Sequence, residues 1–447
     1  MRLATAGLLC LFLCVSCAQP TPEPASESDA AAPSETTAAQ TDAASAESEP
    51  TEPEPTEPEP TEETAVETPL PYHNPLTSEQ IADGWISLFD GHTLFGWESN
   101  DPGINWTVQD GAITADSGPI GLLLTTVPFA DYEFHCEFRM EAGGNSGVFL
   151  RTTTKPEDVT TDCYELNISD DHPEGYTTGT LVGRAKTAEP IAGSGDWKTF
   201  DVRVEGNRIT VRLDGEEVLD YTDDSDSARR SGLIGLQKNA GKIEFRNILL
   251  HPLNLEPLFN GEDLTGWNIV PGSKSEFAVE EGVIRVSDGP GFLETEGTYG
   301  DFIFQAEAIT HGDELNSGYF FRAMKGTEEA PSHGYEVQIH NGYKNDDRTK
   351  PANAGTGAIF RRVEARRVVP NDHEWFTTTL VTSGPRIAVW VDGYHVVDWV
   401  DTRDPDENPR RGMRTDPGHI SLQGHDPTTD LSFRNLRIVE TPDPTAP

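Results

Sequence analysis

A chain of 447 residues has room for two domains and a tail. Its 33 Lys and Arg residues against 76 Asp and Glu residues give a formal net charge of -43. Such a charge repels phosphate backbones and disfavours acidic polysaccharides, so nucleic acid is excluded as a partner, whereas a neutral sugar or a cation is compatible with it.

Residues 1–17 predict a secretory leader. Arg2 supplies the positive start, and the apolar stretch after it is too short to span a bilayer as a mature helix. The stretch ends at Val15-Ser16-Cys17, which resembles a bacterial lipoprotein cleavage site with Cys17 as the lipidated residue. We therefore expect an exported protein, anchored to a membrane of the cell envelope through lipid, at the outer membrane or the periplasmic face. An ordinary signal peptide with incidental cysteines is the alternative.

Residues 18–75 predict a disordered acidic spacer. They consist largely of Pro, Thr, Glu, Ala and Ser, and residues 52–60 contain only Glu, Pro and one Thr. Such a composition cannot bury enough apolar surface to offset the entropy of ordering the chain. Because its carboxylates repel one another and its prolines stiffen it, we expect an extended segment that holds the domains away from the membrane.

An internal repeat fills the rest of the chain. Its motifs return in the same order, at an offset that grows slowly as loop insertions would make it. The matched segments are Leu88-Phe89-Asp90-Gly91 with Leu258-Phe259-Asn260-Gly261, Asn145-Ser146-Gly147 with Asn316-Ser317-Gly318, Tyr164-Glu165-Leu166-Asn167 with Tyr335-Glu336-Val337-Gln338, and Phe245-Arg246-Asn247 with Phe433-Arg434-Asn435. The copies are predicted at residues 76–252 and 253–440, with residues 441–447 as a tail.

Each copy has the pattern of strands. Apolar and polar side chains alternate from Tyr132 to Arg139, and Asp214-Gly215 and Asp392-Gly393 lie between alternating runs, which is typical of tight hairpin turns. Many short strands without a long amphipathic segment predict an all-β antiparallel sandwich. About 180 residues per copy is large for an immunoglobulin-type sandwich and favours a jelly roll, twice in tandem.

The ordered motifs carry a family resemblance. Both copies run from Leu-Phe-(Asp/Asn)-Gly through Asn-Ser-Gly-x-Phe-x-Arg and Tyr-Glu-x-(Asn/Gln)-Ile to Phe-Arg-Asn. This set resembles the 3-keto-disaccharide hydrolase family, also described as 3-keto-glucoside 1,2-lyase and 3-keto-2-hydroxy-glucal hydratase. The resemblance implies concanavalin A-like jelly rolls that handle carbohydrate on a concave sheet face, and cleavage of glycosides already oxidised to a ketone at C3.

That chemistry needs a base, an acid and a positive group. A C3 ketone acidifies the C2 proton, so a base removes it, an electrostatic partner holds the enolate, and an acid helps the C1 oxygen leave before water adds. Strand alternation places Glu336, Gln338 and His340 on one face, opposite Tyr335 and Val337. Parity and the resemblance together assign Glu336 as base, Arg322 as the enolate-stabilising cation and His425 as acid.

Further residues are predicted to bind the sugar. They are Gln338, Trp390, His340 and Phe320 in copy two, with Glu165, Arg151 and Asn167 in copy one. Simpler interpretations stay open: Glu336 and Arg322 as an ion pair on a solvated face, His425 as a turn residue, and Trp390 as packing rather than a stacking platform. A divalent metal with Glu336 and His340 is possible but not indicated by ligand spacing.

The two copies differ at the predicted site. Copy one has Asn167 for Gln338 and Arg212 for Trp390, and it lacks a histidine at the position of His425. Copy two matches the family pattern more closely, so it is expected to be the catalytic copy. Only copy one has cysteines, Cys136 and Cys163; export would permit a disulfide between them, and the sequence leaves this open.

Three functions follow from these patterns. The first is an enzyme that cleaves 3-keto-glycosides without an organic cofactor, supplied with a neutral oligosaccharide or glycoside by a separate oxidoreductase, since no dinucleotide-binding Gly-rich loop is present. The alternative is a carbohydrate-binding surface lipoprotein that performs no catalysis. An ordinary glycosidase with two carboxylates acting on unoxidised glucan ranks last.

Overall fold

The computed structural model describes residues 72–444. The predicted leader, its Cys17 and nearly all of the spacer lie outside the described residues. Helix α1, Ser78–Asp83, begins at a capping box in which the side chains of Thr77 and Gln80 each accept a hydrogen bond from the other's backbone amide. No helix among residues 72–444 is long and apolar enough to cross a membrane.

Copy one is a sandwich of two antiparallel sheets. Its strands are β1 Ile86–Ser87, β2 Trp97–Ser99, β3 Thr107–Gln109, β4 Ala112–Ala115, β5 Gly121–Thr125, β6 Tyr132–Met140, β7 Asn145–Thr152, β8 Tyr164–Ser169, β9 Lys198–Glu205, β10 Arg208–Leu213, β11 Glu216–Thr222, β12 Leu233–Lys238 and β13 Ile243–Pro252. One sheet has the order β11-β10-β9-β6-β13-β4-β3, with β1 beside β13, and the other has the order β2-β5-β12-β7-β8.

Copy two repeats this topology. Its strands are β14 Glu256–Pro257, β15 Trp267–Ile269, β16 Glu276–Glu280, β17 Val283–Ser287, β18 Gly291–Thr295, β19 Phe302–Thr310, β20 Ser317–Ala323, β21 Tyr335–Ile339, β22 Tyr343–Lys344, β23 Asp347–Pro351, β24 Phe376–Ser383, β25 Arg386–Val391, β26 Tyr394–Val400, β27 His419–Gly424 and β28 Asp430–Glu440. The larger sheet has the order β16-β17-β28-β19-β24-β25-β26, with β14 beside β28, and the smaller has the order β15-β18-β27-β20-β21. The hairpin β22-β23 is extra.

Period-two alternation builds the cores as predicted. Along β6, buried and partly exposed side chains alternate over all nine residues, and Phe134 and Phe138 pack in one core with Val148 and Leu236 of the facing sheet. Burying each such side chain stabilises the fold by about 1.5–3 kcal/mol. The predicted jelly-roll sandwich is therefore confirmed in both copies.

The two cysteines of copy one are free. Cys136 on β6 belongs to the main core, whereas Cys163, just before β8, packs with Leu122, Leu124 and Phe149 in a separate cluster. Those leucines alternate with core residues on β5, so the smaller sheet lies between the two thiols. The disulfide that the sequence left open is absent from this structure.

Trp390 is part of the contact between the copies. Its side chain is 1% exposed, its indole Nε1 donates to the Ser87 carbonyl at 2.9 Å, and its ring stacks on His395 with the centroids 4.0 Å apart. It packs within the core cluster of copy one. The prediction of a sugar-stacking platform is therefore wrong, because the outer face of β25 is covered by the other copy rather than by solvent.

We expect Trp390→Ala to lower the free energy of unfolding by about 3–5 kcal/mol, because it empties a filled space between the copies. Urea denaturation followed by tryptophan fluorescence and circular dichroism measures this loss. Trp399→Ala is the matched control, since Trp399 is only partly buried and should cost less. Unchanged stability of Trp390→Ala together with weaker sugar binding would restore the platform interpretation.

Candidate active site

The predicted site lies on the outer face of the smaller sheet of copy two. On edge strand β21, Tyr335, Val337 and Ile339 pack into the core, so the alternate side chains of Glu336 and Gln338 face outward. Across the neighbouring strand β20, Phe320 lies opposite Glu336 and Gly318 lies opposite Gln338. The parity prediction for Glu336 and Gln338 agrees with this placement.

Glu336 is a nearly buried carboxyl group. It is 7% exposed, and it lines a cavity with Phe360, Arg361, Pro409 and Arg410. Burial raises its pKa to about 7, and the positive charges of Arg410, His425 and Arg361 offset only part of this shift. Among residues 72–444, no side chain donates a hydrogen bond to this carboxyl group within normal distance. A carboxylate with a pKa near neutrality and free lone pairs is suited to removing a proton.

Gly318 leaves the space in front of this carboxyl group open. A Cβ at position 318 would lie 3.1 Å from Cγ and 3.3 Å from Oε1 of Glu336. The hydroxyl of the preceding Ser317 donates to the Gln423 carbonyl at 2.7 Å and ties β20 to β27. The Asn-Ser-Gly motif therefore has a physical basis: the serine fixes two strands and the glycine keeps a side chain out of the site.

Two arginines face Glu336, and the sequence interpretation missed both. Nη2 of Arg410 lies 4.0 Å from Oε2 of Glu336, and Arg361 contributes a second positive charge to the same carboxyl group. Arg410 belongs to residues 402–417, which replace the shorter segment 224–231 of copy one. These two segments correspond because they have the same boundaries in both copies. Each follows an aspartate that accepts a hydrogen bond from a tyrosine hydroxyl, and each precedes a glycine bridged to the residue three positions before β6 or β19.

Arg361 adopts a backbone conformation that favours glycine. Its φ is 60°, and the bridges around Leu181 and Ile359 match it to Gly183 of copy one, whose φ is 72°. A non-glycine residue in this region costs about 1 kcal/mol, and such strain concentrates at functional sites. Comparing the two copies residue by residue would have found this signal, since a glycine in one copy stands where the other has an arginine.

Buried amides continue the site along the sheet. Nε2 of Gln338 donates to Asn316 at 2.9 Å, while Oε1 of Gln338 and Oε1 of Gln423 have no partner among the described residues. Both side chains are buried, and buried polar atoms normally have a partner. The two oxygens are therefore unsatisfied hydrogen-bond acceptors within the described part of the chain.

Phe320 and His340 flank these amides. Phe320 is fully buried against Phe292, and the guanidinium of Arg410 lies 5.6 Å from its ring centroid. Its role is to support Arg410 rather than to present an open stacking surface. His340 is nearly buried, and burial lowers its pKa below the ordinary value.

His425 lies just after β27 and is exposed. Its Nδ1 is 2.8 Å from Oδ2 of Asp426, whose pKa is lowered to about 2 by hydrogen bonds from Thr428 and His425. An ionised Asp426 holds this nitrogen and leaves Nε2 free to act. The acid role assigned to His425 stays a prediction.

Arg322 does not face the site. It is fully buried, and its guanidinium donates to the carbonyls of Gly300, Gly384 and Arg414 and to Oδ1 of Asp301. A bulge between Phe320 and Ala323 and a φ of 45° at Arg322 turn the side chain away from the face of Phe320. The predicted enolate-stabilising role of Arg322 is therefore wrong, because its donors are used inside the protein.

Arg151 repeats this arrangement in copy one. Its guanidinium donates hydrogen bonds to the carbonyls of Ala130, Gly206 and Arg229 and to the carboxylate of Asp131. Its predicted sugar-binding role is therefore wrong, because its donors are used inside the protein. The arginine of the Asn-Ser-Gly-x-Phe-x-Arg motif is a structural residue that joins loops at one end of each sandwich.

Copy one has the carboxyl group without the cations. Burial raises the pKa of Glu165 to about 7, but its partner is Nε2 of Gln237 at 3.1 Å, and no arginine contributes to this pKa. The amide of Asn167 donates to the Tyr176 carbonyl. Among the described residues, the buried carboxyl group of copy one is therefore paired with an amide, whereas that of copy two is approached by positive charges.

The ionisation of Glu336 predicts a pH-dependent stability difference. Its pKa of about 7 lies above the ordinary 4.5, so the folded state retains a proton that the unfolded state releases, and stability falls as pH rises between these values. We expect Glu336→Gln to be more stable than the native chain by roughly 2–4 kcal/mol at pH 8 and equal to it at pH 4. Urea unfolding at both pH values measures this, and a constant difference would contradict it.

A metal site is not evident in the described part of the chain. Within residues 72–444, no three His, Cys, Asp or Glu side chains form a group that could hold a metal ion. Glu336 and His340 share a face but do not form such a group with a third ligand. The expectation that no organic cofactor takes part stays a prediction.

Comparisons with known proteins agree with the motifs. The family model described as the 3-keto-alpha-glucoside-1,2-lyase-like domain matches residues 84–251 and 254–439. The 3-keto-disaccharide hydrolase of Bacteroides thetaiotaomicron is 23% identical, and the match covers 43% of this chain and 89% of that protein.

Two solved structures are also similar. A predicted glycosyl hydrolase from Parabacteroides distasonis has a TM-score of 0.35 and 20% identity, covering 40% of this chain and 98% of its own. The carbohydrate-binding module CBM66 from Bacillus subtilis has a TM-score of 0.28 and 18% identity, covering 34% and 93%. Because the family model matches most of the chain, this protein belongs to the family of 3-keto-alpha-glucoside-1,2-lyase-like domains and carries that domain twice.

Proposed function

We propose that copy two cleaves 3-keto-glycosides by elimination and hydration, with Glu336 as the base. The observation that carries this proposal is a buried carboxyl group of pKa about 7 that faces two arginines in copy two, while its counterpart in copy one faces none. The name of the Bacteroides thetaiotaomicron relative, 3-keto-disaccharide hydrolase, supports the same substrate class. The acidic surface of the chain agrees with a neutral sugar.

The first step is proton removal at C2. Glu336 takes the proton, and the electron pair of the C2–H bond moves toward the C3 carbonyl as an enolate. Arg410 and Arg361 then stabilise a negative charge that is absent from the ground state, in a small cavity where water screens it weakly. In this proposal the two arginines take the role that the sequence analysis assigned to Arg322.

Elimination and hydration complete the reaction. The enolate electrons form the C1–C2 double bond, the C1–O bond breaks, and the leaving oxygen takes a proton from His425. Water then adds its oxygen to C1, and C2 regains a proton, which gives a 3-keto sugar and a free alcohol. Gln338 and Gln423 accept hydrogen bonds from ring hydroxyl groups and hold the sugar over Gly318.

None of the proposed steps makes the C3 ketone, so the proposal includes a separate oxidoreductase that supplies the oxidised substrate. We further propose export and lipid anchoring at Cys17, which would place this reaction at the cell envelope. Copy one fits a sugar-binding partner, because Glu165 and Gln237 offer hydrogen bonds without a cation. No organic cofactor enters the proposed steps.

A parallel assay tests the function. Residues 72–447 are incubated with a nitrophenyl 3-keto-glucoside and with the unoxidised nitrophenyl glucoside, and nitrophenol release is followed. We expect release from the keto form alone. Equal release from both substrates would indicate an ordinary glycosidase, and saturable binding without release would indicate a lectin-like protein.

A further inference from the structure

A second, larger cavity lies at the other end of β21 from Glu336. Its volume is about 460 Å³, against about 70 Å³ for the cavity at Glu336. Its lining includes Asp313, Glu314, Asn341, Tyr343, Arg348 and Asp372. The smaller cavity holds only part of one sugar ring, so most of a disaccharide bound at Glu336 must lie outside it.

The outward positions of β21 lie between the two cavities, with Glu336 lining the smaller one and Asn341, two residues after the strand, lining the larger one. Glu336, Gln338 and His340 alternate along one face, and four residues of extended chain span about 13 Å, enough for two linked pyranose rings. Gln338 is 1% exposed and lies midway, with its Oε1 unpartnered. At the far end, a Cβ on Gly342 would lie 2.8 Å from both Cε1 of His340 and Cδ of Glu314, so the histidine adjoins the larger cavity.

The larger cavity is acidic, and some of its charged groups already have partners. Arg348 donates to the carbonyls of Val369 and Pro370, and Asp372 accepts from Thr310, Asn341 and the Glu314 amide. By contrast, the carboxylate of Glu314 receives no hydrogen bond within residues 72–444. Asp313, which lies 2.9 Å from Nε2 of His373, is joined in the lining by Asp346. The cavity therefore has four carboxylates and one guanidinium, and its negative field attracts hydroxyl or ammonium groups and repels a carboxylate or sulfate.

We infer that this cavity binds the leaving sugar of a 3-keto-disaccharide and selects a neutral or amino sugar over a uronic acid. This inference rests on the proposed function of Glu336. The unpartnered oxygen of Gln338 accepts a hydroxyl group near the glycosidic bond, and Glu314 accepts one from the leaving ring. Specificity then comes from repulsion of an acidic leaving sugar as well as from contacts with the correct one.

The test compares leaving groups. The protein is assayed with 3-keto-glucosides whose leaving group is glucose, glucosamine, glucuronate or nitrophenol, and kcat/KM is determined for each. We expect glucose and glucosamine to be preferred over glucuronate by about tenfold, the scale of a few partly exposed charge interactions. Nitrophenol does not need the cavity, so its release reports the proposed function alone.

Charge reversal sharpens the test. Glu314→Arg should shift the ratio of kcat/KM for the glucosamine substrate to kcat/KM for the glucuronate substrate by about tenfold toward glucuronate. The substituted side chain would repel the positive glucosamine and attract the negative glucuronate. Glu141→Arg, in the corresponding turn of copy one, is the control and should leave the ratio unchanged; circular dichroism shows that each variant is folded. If nitrophenol is released but kcat/KM depends neither on the leaving sugar nor on Glu314→Arg, this inference is overturned and the proposed function stands.

Discussion

Glu336→Gln is expected to lower kcat/KM on a 3-keto-glucoside by about 10²–10⁴-fold, the usual contribution of a positioned general base. The amide keeps the size of the side chain but cannot take the C2 proton. Glu165→Gln is the matched control, because Glu165 has the same burial and the same raised pKa in copy one but no facing arginine. We expect it to retain full activity.

The pH profile belongs to the same prediction. The base works only when ionised, so activity should fall tenfold per pH unit below about pH 7, where Glu336 becomes protonated. This limb should be present in Glu165→Gln. A Glu336→Gln variant with native activity, or an equal loss in both variants, would show that copy two is not the sole catalytic copy.

Arg361→Gly is expected to lower kcat by about 10²-fold, the effect of removing one group that stabilises a transition-state anion. Its stability should stay the same or rise by about 1 kcal/mol, because glycine accepts the φ of 60° without strain, as Gly183 does in copy one. Steady-state kinetics and urea unfolding on the same preparation measure the two effects.

This pairing of lost activity with retained stability separates a functional arginine from a structural one. Arg410→Ala should lose activity to a similar extent, whereas Arg411→Ala, one residue along the same loop, should not. By contrast, Arg322→Ala should lose stability, since Arg322 holds three carbonyls and Asp301 in the interior. Loss of stability without loss of kcat in Arg361→Gly would remove Arg361 from the mechanism.

The sequence predicted what alternation and repetition control. Both sandwiches and the outward position of Glu336 follow from period two, because β21 is regular over its five residues. The prediction from alternation was wrong at Arg322, where a bulge and a positive φ interrupt the two-residue period and turn the side chain to the other face. It also failed at Trp390, because alternation indicates which face a residue occupies and not which part of the chain covers that face.

The cations of the site were beyond the sequence interpretation for a further reason. Arg361 and Arg410 lie outside the strands, and their approach to Glu336 depends on how two separate segments fold over the edge of β21. For Arg361 the sequence does contain a signal, because the corresponding residue of copy one is Gly183. Long-range placement of loops, rather than local pattern, therefore decides which charges meet the carboxyl group.

The most direct test of the central claim uses a 3-keto-glucoside deuterated at C2, with the product analysed by mass spectrometry and the rate compared with that of the undeuterated substrate. Elimination through Glu336 predicts a primary isotope effect on kcat and loss of deuterium from the released 3-keto sugar to solvent water. Full retention of deuterium with no isotope effect would show that the C1–O bond breaks without proton removal at C2, and would contradict the account.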